Sequence, residues 1–240
     1  MKPLAIGNVA LGEVPRIAVP VYDDDPTGDV AAVRGITDLI ELRIDCFADL
    51  GEAKVAETIR RARMADSPPL IATVRAAEEG GKVALDDDRR AALYELATPL
   101  VDAVDIELRS PLVPYVLELA RKHGKTSIAS FHDFHAMPPF YDIENLVDQA
   151  DDLGVDILKV AAAASSVADL RHLLEFTLRH RDRGIVTIAL GEIGAVSRVV
   201  FPLAGSLFTF AHHRTPSAPG QLPLAEMKAE LKRYFPSLVR

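Results

Sequence analysis

The sequence predicts a (β/α)8 barrel. Short apolar runs alternate with helix-like stretches, eight such runs can be counted, and the 240-residue length suits that fold. Eight parallel strands with crossover helices need roughly 250 residues. A doubly wound open sheet is the other arrangement that alternation allows. Against it, no run is followed by a Gly-x-Gly-x-x-Gly turn. No linker or low-complexity segment divides the chain, so one domain is expected over residues 1–240.

The elements follow in order. The segment before the first run, with Gly7 and Gly12 at its bends, reads as a short hairpin covering the barrel floor. "RIAVPV" (16–21) is the first strand, and the unit after it, "DDDPTGDVAAVRG", is the least regular. "LIELRID" (39–45) is the second strand, followed by the helical stretch "EAKVAETIRRARMA" (52–65). "LIATVR" (70–75) and "AVDIEL" (103–108) flank the helical "DDRRAALYELATPL" (87–100). The acidic run at 86–88 suits a helix N-terminus, and the run at 23–25 reads as solvated. "TSIASFH" (126–132) and "DILKVAAAA" (156–164) come next, then the helical "VADLRHLLEFTLRHR" (167–181). "IVTIAL" (185–190) and "LFTFA" (207–211) complete the eight.

Composition narrows the function. The chain is 49% hydrophobic and 26% charged, as a folded globular protein is, and its net charge of −8 argues against non-specific binding to nucleic acid or an anionic membrane. A local basic pocket for an acidic small molecule remains compatible with that charge. A lone cysteine, Cys46, forms no internal disulfide, which suits a reducing cytoplasm. No apolar run reaches a membrane span, and the N-terminus lacks the apolar core and cleavage site of a secretory signal.

Strand parity indicates where the polar groups point. Side chains two apart share a face, which groups Glu41, Arg43 and Asp45, then Thr73 with Arg75, and Asp105 with Glu107. Ser130 with His132, and Lys159 with Ala161 and Ala163, extend the series to five consecutive strands. In a barrel that face is the interior, and the C-terminal strand ends are where active sites form. A structural core would fill these layers with Val, Ile and Leu. Mixed charges on five strands therefore point to a site for a polar ligand.

Lys159 sits in an otherwise apolar strand and admits two readings. A free lysine, with a pKa of about 10.4, is protonated and inert, but burial and nearby cations expose a nucleophilic amine that forms imines with ketones. The alternative is a salt bridge to Asp105 or Glu107. His132 lies on the preceding strand with the same parity, so both can face one substrate, and histidine moves protons near neutral pH. On its own such a histidine is more often a hydrogen-bonded core residue.

At these residues the sequence resembles the type I 3-dehydroquinate dehydratases of the shikimate pathway. The resemblance covers nearly the whole chain in order: "ELRID" at 41, "RAAEEGG" at 75, "VDIEL" at 104, "SFHDF" at 130, "DILKVA" at 156, "SR" at 197, "GSLFTF" at 205 and "SAPGQL" at 217. Each motif is weak; their order and spacing are specific. The family fold is a (β/α)8 barrel. The resemblance implies that Lys159 forms a Schiff base with the ketone of 3-dehydroquinate, that His132 is the general acid/base, and that Glu79 orients that histidine. It implies that Arg198 clamps the substrate carboxylate, and that Glu41, Arg43 and Arg75 surround the ring hydroxyls. Ser217 and Gln221 are implied as contacts from the last loop, and Phe210 as an apolar wall. A homodimer is implied as well.

The residue types suit the chemistry. An iminium is a far better electron sink than a ketone, so elimination beside it needs neither metal nor cofactor. An arginine fork pairs both oxygens of a carboxylate. "EEGG" and "SAPGQL" read as Gly-hinged or Pro-kinked loops that close over the site. The chain departs from the family pattern at Ile188 and Leu190, where many members carry methionines, and at Pro202, which is expected to shift the start of the helix carrying Arg198.

Other features have plain readings. "HDFH" and the pair at 212–213 offer histidines without a cysteine or carboxylate framework at metal spacing, so no zinc site is expected. Cys46 reads as a small buried residue. Two rival functions share the pattern. A class I aldolase or transaldolase also uses a barrel lysine, but usually on sugar phosphates, and no late Gly-rich phosphate loop is present. A barrel that only binds a hydroxy acid is the non-enzymatic rival.

Overall fold

The alternating runs close into a barrel. The computed structural model describes residues 4–22, 26–63 and 66–236, without the side chains of residues 26 and 27. The acidic run at 23–25 and the last two positions of the stretch 52–65 lie outside the described residues.

A two-residue pair, β1 (Ala5–Ile6) and β2 (Val9–Ala10), forms an antiparallel hairpin. Gly7 turns it at φ +57°, and a Cβ there would stand 3.0 Å from Pro69. The eight barrel strands are β3 (Arg16–Val21), β4 (Leu39–Arg43), β5 (Leu70–Thr73), β6 (Ala103–Glu107), β7 (Thr126–Asp133), β8 (Ile157–Ala163), β9 (Ile185–Leu190) and β10 (Phe208–Phe210). All pairings among them are parallel, in the order β10-β3-β4-β5-β6-β7-β8-β9. The last seam, between β9 and β10, is joined where Leu207 N–H donates to the Ile185 carbonyl at 2.9 Å and Thr187 N–H to Ser206 Oγ at 3.0 Å. Closure excludes the doubly wound sheet.

Helices α1 (Pro26–Val33), α2 (Glu52–Ala62), α3 (Asp87–Ala97), α4 (Val113–His123), α5 (Phe140–Leu153), α6 (Val167–Arg179) and α7 (Ser197–Ala204) fill the crossovers, and α8 (Leu224–Tyr234) follows the last strand. Their ends follow local chemistry. Asp86 caps α3 by accepting from Arg89 N–H at 2.8 Å, and Ser166 with Asp169 forms a capping box on α6. On α5 the apolar residues Ile143, Leu146, Val147 and Ala150 recur at helical spacing and are buried against the strands. Each such aliphatic side chain contributes about 1.5–3 kcal/mol when fully buried. No helix among the described residues is long and apolar enough to cross a membrane.

The period-two alternation of the strands divides the core in two. Outward residues such as Ile40, Ala72, Val104, Ala129 and Leu158 pack under the helices. Inward residues Leu39, Ile71, Ala103, Ile128, Ile157, Val186 and Phe208 make an apolar layer near the strand starts, which Ile6 and Leu11 of the hairpin segment cover. Thr126 Oγ1 ties that segment down by donating to the Ala5 carbonyl at 2.7 Å. Above this layer, toward the strand ends, the interior turns polar.

One parity expectation needs correction. Asp45 is not on the strand with Glu41 and Arg43, because β4 ends at Arg43 and residues Ile44–Cys46 form a 3-10 turn. The buried Asp45 carboxylate holds that turn, accepting from Arg43 Nε and Nη2 at 2.9 and 2.8 Å and from the backbone N–H groups of Arg75 and Lys82.

Candidate active site

Lys159 comes into the barrel from the middle of β8, and it is 4% exposed. Its Nζ donates to Asp105 Oδ2 at 2.9 Å, lies 3.7 Å from Glu41 Oε1, and sits 4.6 Å from the centroid of the Phe210 ring. The ion-pair reading of Lys159 is thus realised with Asp105 rather than Glu107, while the same ammonium lines an interior cavity of about 70 Å3. Ala161, next inward on β8, leaves that space open.

A lattice of buried charges supports it. Arg75 donates through Nη1 to Glu107 Oε1 at 2.8 Å and to Ser130 Oγ at 2.6 Å, and through Nη2 to Asp105 Oδ1 at 2.9 Å. Ser130 Oγ donates to Asp105 Oδ1 at 2.6 Å, and Thr73 Oγ1 to Glu41 Oε1 at 2.9 Å. Burial alone would raise the Asp105 carboxyl, but the Arg75 and Lys159 cations hold it well below the usual carboxylate range. Burial likewise works against the Asp45 carboxyl, and the Arg43 fork brings it below its ordinary value. These groups remain ionised because each has a partner of opposite sign.

His132, near the end of β7, meets Glu79 from the loop after β5. The loop must fold back tightly, since a Cβ on Gly81 would lie 2.3 Å from the Arg75 carbonyl oxygen. That return puts Glu79 in a 3-10 turn, Ala77–Glu79, with its Oε2 at 2.9 Å from His132 Nδ1 and at 2.9 Å from His132 N. Arg43 Nη2 fastens the loop further by donating to the Gly80 carbonyl at 3.1 Å. Burial, followed by the Arg75 and Lys159 cations, pushes the His132 imidazole well below its usual 6.5, so the ring is neutral at pH 7. Burial pushes the Glu79 carboxyl up from 4.5 to about 7.

Arg198 is the second residue of α7 and is 1% exposed. Pro202 lies within this helix, which begins at Ser197. Ser197 fixes the start, its Oγ accepting from Ala189 N–H at 3.0 Å. Arg198 donates to the carbonyls of Phe210 and Pro219 at 3.4 and 3.3 Å, and its Nε has no partner. Among the described residues it has no carboxylate against it, and burial lowers it from 12.5 to about 10. It therefore stays cationic at neutral pH and faces the cavity. Beside it, Gln221 Oε1 accepts from Ser217 N–H and Oγ at 2.7 and 3.0 Å.

The cavity brings together Glu41, Arg43, Arg75, Glu79, His132, Lys159, Arg198, Phe210, Ser217 and Gln221, the ten residues singled out in the sequence. Ile188 and Leu190 add apolar wall, as does Phe134, whose ring stacks on His132 at 6.2 Å between centroids. Sequence reasoning missed Phe134 and a second tier behind the site. In that tier Arg90 of α3 donates to Glu107 and to the Val74 carbonyl, and Tyr94 donates to the Asp105 carbonyl at 2.6 Å. A signal existed: Arg90, Leu93, Tyr94 and Ala97 are spaced as one helix face. Cys46 is no nucleophile, since burial and the adjacent Asp45 push its thiol up to about 11. No cluster of metal-binding side chains occurs among the described residues.

The arrangement offers a primary amine, a neutral imidazole oriented by a carboxylate, and an unpaired cation around one cavity. A family model described as type I 3-dehydroquinase matches residues 17–235. The 3-dehydroquinate dehydratase of Thermodesulfovibrio yellowstonii is 34% identical over 217 residues, covering 90% of this chain and 94% of the relative. That of Methanosarcina barkeri is 36% identical over 239 residues, covering 95% and 98%. Among solved structures, a type I 3-dehydroquinate dehydratase from Clostridium difficile, crystallised with covalently modified comenic acid, superposes with a TM-score of 0.90 at 29% identity, covering 98% of each chain. The 3-dehydroquinate dehydratase of Geobacillus kaustophilus gives 0.89 at 28% identity, covering 98% of this chain and 97% of that one.

Proposed function

This chain belongs to the type I 3-dehydroquinase family, and from that premise we propose that it dehydrates 3-dehydroquinate to 3-dehydroshikimate in the shikimate pathway, through a Schiff base on Lys159. One observation carries the reading: the Lys159 ammonium, the His132–Glu79 pair and the unpaired Arg198 guanidinium all line one cavity.

The steps balance. Lys159 gives one Nζ proton to the neutral His132, and its free amine joins the substrate carbonyl carbon. The carbonyl oxygen takes that proton back with a second Nζ proton and leaves as water, so an ammonium and a ketone become an iminium and a water. Both the ammonium and the iminium carry one positive charge. Asp105 and Glu41 therefore neutralise the cation before and after the bond forms.

His132 then acts as base. Its Nδ1 is engaged by Glu79, which leaves Nε2 with the lone pair to take the C2 proton, and the C–H electrons move into an enamine. The enamine expels the neighbouring hydroxyl, which leaves as water with the proton that His132 returns. Water then adds to the conjugated iminium and frees 3-dehydroshikimate from Lys159. Arg198 supplies a two-pronged donor for the substrate carboxylate, and Phe210 walls the ring. The iminium is the electron sink, so this mechanism uses no metal and no cofactor. The reading also takes the chain as one catalytic domain over residues 1–240 and as a cytoplasmic homodimer, whose mass light scattering measures.

The test is borohydride trapping. Protein incubated with 3-dehydroquinate and borohydride should gain one reduced adduct, on the peptide carrying "DILKVAAAAS". Lys159→Ala should lose both adduct and turnover. An adduct on a different lysine ends the assignment.

A further inference from the structure

We propose that Arg90, a residue of the outer helix α3 that does not reach the cavity, is a positioning residue for the reaction and acts through Glu107 on Arg75 and Glu79. The inference rests on the dehydratase reading above. Arg90 is 4% exposed, and its guanidinium crosses behind the end of β5. Nε and Nη2 donate to the Val74 carbonyl at 3.2 and 3.0 Å, Nη1 to Ser110 Oγ at 3.3 Å, and Nη2 also to Glu107 Oε2.

Glu107 is the hinge of the argument. Its other oxygen accepts from Arg75 Nη1 at 2.8 Å and from Ala76 N–H at 3.0 Å. One carboxylate thus bridges an arginine outside the barrel and an arginine that lines the cavity, and it also holds Ala76, three residues before Glu79 in the same loop. An arginine buried at a helix position that would otherwise be apolar is costly to keep unless its bonds are used. Here Nη2 goes to Glu107 and Nε and Nη2 to the Val74 carbonyl just past β5, while Nη1 goes to Ser110 and lies 3.6 Å from the exposed Asp87. The charged groups acting on Glu79 include Arg75, Glu107 and Asp105, and the neutral His132 adds its backbone N–H and ring Nδ1. Arg90 anchors Glu107 Oε2 while Arg75 and the Ala76 N–H hold Oε1, so it fixes where the Glu107 charge sits relative to Glu79.

Without the Arg90 fork, Glu107 is held only by Arg75 and the Ala76 N–H, and its free oxygen turns toward the loop bearing Glu79. The field at Glu79 becomes more negative, its proton is held more firmly, and the active form of the His132–Glu79 pair needs a higher pH. The experiment compares the pH profile of kcat in the wild type, Arg90→Gln, Glu107→Gln and the double variant. The acid limb should move up by about half a pH unit or more in Arg90→Gln. It should not move further when Arg90→Gln is added to Glu107→Gln, because the effect passes through Glu107. A lower melting temperature with an unmoved limb, or equal shifts in both backgrounds, overturns the proposal. Should Arg90→Gln not fold, Arg90→Lys keeps the charge and loses the fork, and a smaller shift in the same direction is expected; no shift overturns the proposal. Failure of the dehydratase reading shows separately, as absence of turnover in the wild type.

Discussion

A single oxygen of Glu79, Oε2, accepts from the backbone N–H of His132 and, when ionised, from its ring Nδ1, each at 2.9 Å. Two bonds from one acceptor fix the plane and the tautomer of the ring together. An ionised Glu79 requires the imidazole proton on Nδ1, and the basic lone pair is then on Nε2.

That requirement predicts a pH dependence. Burial raises Glu79 from 4.5 to about 7, so the carboxylate is lost as pH falls through that value. Once protonated, the carboxyl no longer demands the Nδ1 proton. Turnover should therefore climb as pH rises through about 7. Glu79→Gln should flatten this limb and lower kcat less than loss of the imidazole does; steady-state rates between pH 5.5 and 8.5 measure both.

His132→Ala should separate imine formation from elimination. Each acid/base role contributes about 10²- to 10⁴-fold, and His132 has more than one, so turnover should fall by several orders of magnitude. Lys159 should still trap substrate under borohydride, more slowly, as mass spectra followed over hours will show. Near-normal turnover would move the base to another residue, Asp105 or Glu107 being next in position.

Arg198→Ala should raise KM. The buried guanidinium awaits an anion, and loss of a buried charge-assisted pair costs about 2–5 kcal/mol. Because Arg198 has no ion pair to break among the described residues, the variant should fold with little change in melting temperature. An unchanged KM and kcat would place the carboxylate clamp elsewhere, at Arg75 or Arg43.

The buried carboxylates predict the acid end of the stability profile. Asp105 titrates below its unfolded value of 3.8, held there by Arg75 and Lys159 against the cost of burial. A depressed folded value means that its contribution is fully present above 3.8 and disappears as pH falls toward the folded value. Asp105→Asn should flatten the dependence of urea midpoint on pH below about 4; an unchanged slope would mean that other carboxylates govern it.

Much of this site is legible in the sequence because β-strands have a period of two. Glu41, Asp105, Ser130 and Lys159 are each two residues from an apolar inward neighbour, and the structure brings them to one level of the barrel. Asp45 escapes that rule because parity assumes the strand continues, whereas the Arg43 fork draws the chain into a turn. Glu79 and His132 are 53 residues apart and meet through a loop, so no periodicity links them; only the resemblance did. Arg90 is hidden for another reason. Charges on an outer helix are expected to face water, and although its spacing with Leu93, Tyr94 and Ala97 puts it on the buried face, that spacing does not show which strand end it reaches.

The hairpin segment below the barrel has a consequence for traffic. Ile6 is completely buried against the apolar layer that fills the strand starts, so among the described residues the interior is closed at that end. Reactant and product then share the opposite end of the barrel. A product molecule that has not yet departed bars the next arrival, and inhibition by 3-dehydroshikimate should be purely competitive with 3-dehydroquinate.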